Sequence, residues 1–337
     1  GNKKEYSLSS LIDGLEDKIA FDREVSKPDI TLKDGSEIGD KWYKDSLKVS
    51  ITATDNKRID SVWFSLNGKE FEDKVEADSY RKEVSVEDNV DEKGILEIKA
   101  KSTDLVGNTA NVEKTIRLDK VFPELSGSAI GEYAKEEGVA YIREPLRIDL
   151  DYSDKESGVK EGRVIHDGKS SLIKDGSYSI KESGEYVFEV EDNVGHVTKL
   201  SLDKIIGVNS IVYDNESPIL SEVSGFEADL EKNGKFWYAK YPDIVYSVAD
   251  DNIKKVQIIV DGKELDPLSK VGDFSVPYEK KEGLHKIRVT AIDKAGNLSE
   301  TFYSFYVDTL APEFESGVLL GDYKDRGFGL YFNENPS

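Results

Sequence analysis

Aspartates recur at matching places along this chain. Asp55, Asp154 and Asp250 each close a stretch in which apolar residues alternate with polar ones, and Asp251 directly follows the last. Asp104, Asp192 and Asp293 each open a short run that ends in Gly and a polar residue: Gly107-Asn108, Gly195-His196 and Gly296-Asn297. Asp22, Asp119 and Asp214 lie in acidic stretches that lead to a proline. Carboxylates are hard oxygen donors, and calcium gathers about six to eight oxygens. Calcium is therefore the candidate cofactor. A second chemistry competes for the same residues, because an Asp beside Gly and Asn bonds nearby backbone N–H groups and forms a turn with no metal.

Other constellations point away from catalysis. His166, His196 and His285 are far apart in sequence, and no pair has the spacing of a helical zinc motif. The chain has no Gly-x-Ser-x-Gly elbow, no phosphate-binding loop and no Gly-x-Gly-x-x-Gly run. A non-enzymatic protein is expected. Trp63 is the candidate ligand-binding residue. It falls out of phase with Val62, Phe64 and Leu66, so it should stand on the outer face of its strand. There it can stack on a sugar or anchor a partner, or simply cover its own sheet.

The elements that would position these residues repeat along the chain. A proline after an acidic stretch sits at 28, 123, 218 and 312; 123 − 28 and 218 − 123 are both 95, and 312 − 218 is 94. That period marks tandem domains. Within each period the apolar residues alternate, as in half-buried strands. Ala53, Ile51, Val49 and Leu47 form one inward set, Tyr152, Leu150, Ile148 and Leu146 the next, and Val248, Tyr246 and Ile244 the third. A following strand ends at Asn67-Gly68, Asp167-Gly168 or Asp261-Gly262, each a two-residue hairpin signal. Five segments follow: 1–27, the last strand and linker of a preceding repeat; 28–120, 121–216 and 217–311, three repeats; and 312–337, the start of a truncated fourth.

Composition narrows the partners. The 337 residues hold 68 acidic and 46 basic side chains, for a net charge of −22. Nucleic acid is not an expected partner, since it needs clustered Lys and Arg. No run of about 18 apolar residues is present, so direct membrane insertion is not expected. There is no cysteine and no methionine, which removes disulfides and thiolate metal sites.

The pattern as a whole resembles bacterial Ig-like repeats. It is carried by VADDN, VDGKEL, AIDKAGN and VDTLAP in the third repeat, by YSDKESGV, HDGKS and EDNVGH in the second, and by TATDNKRI, LNGKEF and STDLVGN in the first. His196 departs from the pattern, which has Asn at that place. The resemblance implies an all-β fold of tandem Ig-like β-sandwiches in an extended array. It implies an extracellular or cell-surface setting, a monomeric chain, and a host or cell-surface protein or glycan as partner. The implied role is a stalk of a surface adhesin, or alternatively an accessory region of a secreted carbohydrate-active enzyme. In such sandwiches the loops after the second and sixth strands share one end. The resemblance thus groups Asp22 with Asp55 and Asp104, Asp119 with Asp154 and Asp192, and Asp214 with Asp250, Asp251 and Asp293.

Overall fold

The structure is a computed structural model that describes residues 22–44, 46–313, 323–325 and 330–332. The expected preceding repeat lies almost wholly outside the described residues, as does most of the expected fourth repeat. The chain divides into two compact units: one runs to Ala140 and includes Pro145–Ile211, and the other joins Tyr141–Glu144 to the chain from Val212 onward. The fold is all-β, a tandem series of Ig-like sandwiches. Among the described residues no helix is long and apolar enough to cross a membrane.

The first sandwich has strands β1 (Lys27–Leu32), β2 (Trp42–Lys44), β3 (Lys48–Leu66), β4 (Lys69–Ser85), β5 (Ile95–Asp104) and β6 (Thr109–Asp119). They join in the order β1-β3-β5-β6-β2, with β4 also on β3. Two strands were expected on either side of Asp55; one continuous β3 serves both. Its first half pairs with β1 and the end of β4, its second half with β5 and the start of β4. Between them the register shifts, since Thr54 pairs with Ser79 but Ile59 with Ala77. The physical reason is local. Asp55 Oδ1 accepts the Lys57 and Arg58 N–H groups at 2.8 and 3.1 Å, and the Arg58 guanidinium donates to the Glu76 carbonyl. With these backbone groups bonded, the bulge carries the ladder onward where a loop was expected, although Asp55 Oδ2 is buried with no hydrogen-bond partner. Ile30, Val49, Ile51, Leu96, Ile98 and Leu118 are fully buried beneath it.

The second sandwich contains β7 (Glu124–Ile130), β8 (Ala134–Glu136), β9 (Val139–Ile142), β10 (Leu146–Ser153), β11 (Val159–His166), β12 (Lys169–Leu172), β13 (Ser177–Ile180), β14 (Tyr186–Asp192), β15 (Val197–Ser201), helix α1 (Leu202–Ile206) and β16 (Ser210–Tyr213). One sheet runs β13-β10-β7 and another β12-β11-β14-β15. Leu146 and Ile148 are buried, in the expected phase, and Val164, Phe188 and Val190 are buried with them. Helix α1 departs from the expected all-β pattern. Leu202 and Ile206 are one helical turn apart and both buried, and the Gly207 N–H closes the turn on the Asp203 carbonyl at 2.9 Å.

The second unit holds β17 (Ile219–Ser224), β18 (Leu230–Lys232), β19 (Lys235–Tyr238), β20 (Val245–Ala249), β21 (Ile253–Val260), β22 (Lys263–Glu264), β23 (Gly272–Ser275), β24 (Gly283–Asp293) and β25 (Leu298–Val307). A β17-β20-β23 sheet is one layer, and β18-β19-β25-β24-β21-β22 is the other. Beyond them Tyr323–Asp325 (β26) pairs antiparallel with Leu330–Phe332 (β27). Tyr246 and Phe305 are fully buried at the centre, with Phe226 edge-on to Tyr246. The three expected hairpins form. Asn67 and Gly68, Asp167 and Gly168, and Asp261 and Gly262 all have positive φ, between 45° and 84°, the conformation a tight antiparallel hairpin needs.

Gly225 offers a test of this packing. Its φ is +88°, and a Cβ there would lie 2.4 Å from the Asp243 carbonyl oxygen. Gly262 has φ +84° but open space around it. Gly262→Ala should therefore cost only the left-handed penalty of about 1–2 kcal/mol, and Gly225→Ala should cost clearly more. Denaturant unfolding of both variants checks the order; equal losses would show that the Asp243 contact relaxes freely.

Candidate metal centre

Each strand that ends in the repeated Asp builds the same turn. Asp104 Oδ1 accepts the Val106 and Asn108 N–H groups at 2.9 and 2.8 Å. Asp192 Oδ1 accepts those of Val194 and His196 at 2.9 and 2.8 Å, and Asp293 Oδ1 that of Asn297 at 2.8 Å. The second oxygen takes the last side chain of the turn. Asn108 Nδ2, His196 Nδ1 and Asn297 Nδ2 each stand 2.7 Å from it. All three Asp residues are buried. The turn chemistry expected of these residues is thus present.

The same side chains reach the incoming linker. Asn297 Nδ2 also donates to the Asp214 carbonyl at 2.8 Å, and Asn108 Nδ2 to the Glu24 carbonyl at 3.2 Å. In the second sandwich the linker carboxylate itself enters: Asp119 is fully buried, with Oδ1 accepting the Val121 N–H and Oδ2 the Ser157 N–H. On the opposite loop, Asp250 Oδ1 accepts the Asn252 N–H, and the Asn252 amide donates to Asp214 Oδ2 at 2.8 Å.

Two groups of possible ligands result. Asp214, Asp250 and Asp293 bring carboxylate oxygens within 4.8 Å of one another, and Asp119, Asp192 and His196 do the same with two carboxylates and an imidazole. The expected groupings need three corrections. Asp251 is exposed and stands outside its group. Asp154 gives its place to His196; its Oδ1 is taken by the Glu156 and Gly158 N–H groups, and its Oδ2 is buried with no hydrogen-bond partner. Among the described residues Asp22, Asp55 and Asp104 form no such group. Asp22 turns its carboxylate to the Glu24 N–H and presents a carbonyl to Asn108. The departure of His196 from Asn was the signal in the sequence for its role, since imidazole is a metal ligand and a carboxylate partner.

The electrostatics differ between the groups. Burial pushes the Asp250 carboxyl up, the Asn252 N–H opposes this, and the charges of Asp293, Asp214 and Asp251 push it further up. Burial acts on Asp119 in the same direction, but hydrogen bonds from Ser157 and Val121 prevail and hold it below the usual carboxylate range. Glu156 beside it is pushed up by burial and by Asp119. The all-oxygen group at Asp214, Asp250 and Asp293 suits calcium; an imidazole suits softer ions.

Trp63 lies half-buried on the face opposite Val62 and Phe64, across from Glu72 and Lys101. His166 stacks on Tyr186 at 4.2 Å, with Nε2 3.0 Å from the Ser183 carbonyl.

No family model matches the chain, and no curated protein matches it. Among solved structures it is similar to a bacterial ice-binding adhesin described for host cell surface retention, at 12% identity over 84% of this chain and 98% of that one, with a TM-score of 0.34. It is also similar to a tetra-tandem repeat in the extending region of a large adhesion protein, at 16% identity over 85% and 75%, with a TM-score of 0.33. Fibronectin(III)-like modules of Clostridium thermocellum CbhA match at 15% identity over 55% and 93%, with a TM-score of 0.29. Likenesses this low carry no argument about function, and the fold assignment rests on the sheets themselves.

The raised Asp250 gives a pH prediction. A carboxyl whose folded pKa lies above its unfolded value favours folding at low pH and loses that contribution as pH rises through the two values. Charged Asp250 therefore destabilises the metal-free protein at neutral pH. Asp250→Asn, which keeps an oxygen for the Asn252 N–H, should raise the melting temperature in chelator at pH 7 and leave it nearly unchanged near pH 3. A lower melting temperature at pH 7 would reverse the assignment.

Proposed function

We propose that this chain is a non-enzymatic spacer segment of a bacterial cell-surface adhesin, built from repeats over 28–120, 121–216 and 217–311 and stiffened by calcium where linkers meet loops. The observation that carries this reading is the group Asp214, Asp250 and Asp293. One residue comes from a linker, one from the loop after β20 and one from the last position of β24. A divalent ion there would tie a linker to two loops at once. Three like charges at this distance favour such an ion; the Asp250 carboxyl is raised by burial first and then by the charges of Asp293, Asp214 and Asp251. Asn108 and Asn297 add direct linker contacts that need no ion.

An extracellular setting fits the reading. Calcium is abundant there, and a chain with no cysteine and no methionine offers no sulfur to oxidants. The second reading is an accessory region that binds glycan, which the row of Leu230, Trp237, Tyr306 and Leu284 on the outer face of the third sandwich favours.

The test is thermal unfolding of the whole chain in millimolar calcium and in chelator, with Asp214→Asn alongside. At a calcium concentration about a hundred times the dissociation constant, the bound state gains about 2.7 kcal/mol. The melting temperature of the second unit should rise by several degrees in the wild type and far less in the variant. An equal rise in both, or none in the wild type, removes calcium from this site.

A further inference from the structure

The outer face of the large sheet in the third sandwich carries an arrangement that the other two lack. Register places residues of neighbouring strands in rows across this face. Leu230 pairs with Trp237, Trp237 with Tyr306, and Tyr306 with Leu284, giving one apolar row over four strands. Leu230 and Leu284 are 54% and 40% exposed. The next row is cationic. Lys232 pairs with Lys235, which neighbours Ser304, and Ser304 pairs with Lys286. All four residues of this row are exposed. Beyond it Arg288 pairs with Phe302, itself 65% exposed, and lies over its ring at 5.3 Å.

The lysines of this face are free of carboxylates. Arg288 donates to Glu300 at 2.6 Å, but Lys232, Lys235 and Lys286 have no ion-pair partner among the described residues. Lys235 instead lies over the Tyr306 ring at 5.1 Å. On the matching faces of the other sandwiches Lys99 pairs with Glu113 at 3.9 Å, Lys160 with Glu191 at 2.7 Å and Lys199 with Glu189 at 2.6 Å, and Lys101 beside Trp63 stands alone, with no row of further lysines among the described residues. In a chain of net charge −22, three unpaired lysines in one row form a local exception, and their complement is an anion.

We propose that this face binds an acidic polysaccharide, laid along the rows across strands β18, β19, β25 and β24. A uronic acid polymer offers apolar C–H faces, hydroxyls and regularly spaced carboxylates. The apolar row supplies contact for the first, the exposed Ser304 hydroxyl supplies a hydrogen-bonding group for the second, and the lysine row meets the third. An acidic polypeptide gains less here. Strands β19, β25 and β24 are paired on both sides, and the one open edge at this face is the three-residue β18, too short to hold an added strand over more than a few residues. The site is separate from the aspartate groups, and its ligand is recognised without metal.

The experiment titrates the whole chain with polygalacturonate, neutral dextran and polyglutamate by calorimetry. Chelator is present throughout, so that calcium cannot bridge polymer carboxylates to the aspartates. Polygalacturonate should bind, more weakly as salt is added, and dextran should not. The double variant Lys235→Glu, Lys286→Glu should lose at least about tenfold in affinity with an unchanged circular dichroism spectrum and melting temperature. Trp237→Ala should lose affinity while keeping the wild-type salt dependence. The proposal is overturned if polygalacturonate does not bind, if the double variant binds it as the wild type does, or if dextran or polyglutamate binds equally well.

Discussion

A buried carboxylate is tolerable only when donors surround it, and one such arrangement sets the end of every sandwich. Asp104, Asp192 and Asp293 are held by the backbone of the turn that follows and by its last side chain. The difference between Asn and His at that last place then decides how the linker is held. An amide nitrogen carries two hydrogens, and an imidazole nitrogen carries at most one. Asn108 and Asn297 therefore serve the Asp and a linker carbonyl together. His196 Nδ1 serves Asp192 and stands 4.0 Å from the buried carboxylate of Asp119. One substitution in a repeated turn thus accompanies a change in which linker atom is brought inside.

Burial and turns must stabilise these sandwiches, since no cysteine is present to crosslink them. The first sandwich fills its centre with Ile, Leu and Val. The third relies on rings: Phe226, Tyr246, Tyr303 and Phe305 meet edge-on or stacked, with centroids 4.9 to 5.6 Å apart where they touch. Tyr238 closes this cluster by bonding the Tyr303 hydroxyl and the Gly225 carbonyl. Asp104 shows how pH enters. Burial raises its carboxyl, but hydrogen bonds from Asn108, Val106 and Gly107 prevail and lower it. It therefore stabilises the fold above the usual carboxylate range and ceases to do so as pH falls through its lowered value.

Features governed by neighbours in sequence were legible. Inward phases such as Val49, Ile51 and Ala53 follow from alternation, and Asn67-Gly68 from the φ values its turn demands. The Asp turns follow from the reach of a short side chain. What escaped depends on partners distant in sequence or on competing local signals. β3 runs through Asp55 because Arg58 finds Glu76 across the bulge, and nothing near Asp55 announces that. Helix α1 spans one turn, and only the spacing of Leu202, Ile206 and Gly207 marks it. Asp154 was expected where His196 stands, because equivalence along the repeat says nothing of where a side chain's oxygens are already engaged.

The parallel pairings of β2 with β6 and of β19 with β25 have a consequence under tension. Each joins a strand near the start of its sandwich to one near the end, over three residue pairs. A chain pulled from both ends drags the two strands in opposite directions along a common axis. The hydrogen bonds between them are then loaded together, in shear, and do not open one after another like a zip. β1 and β17 come earlier in the chain and are held antiparallel to β3 and β20, so those ladders meet the load first and the shear-loaded bonds beside Tyr43 and Trp237 meet it next.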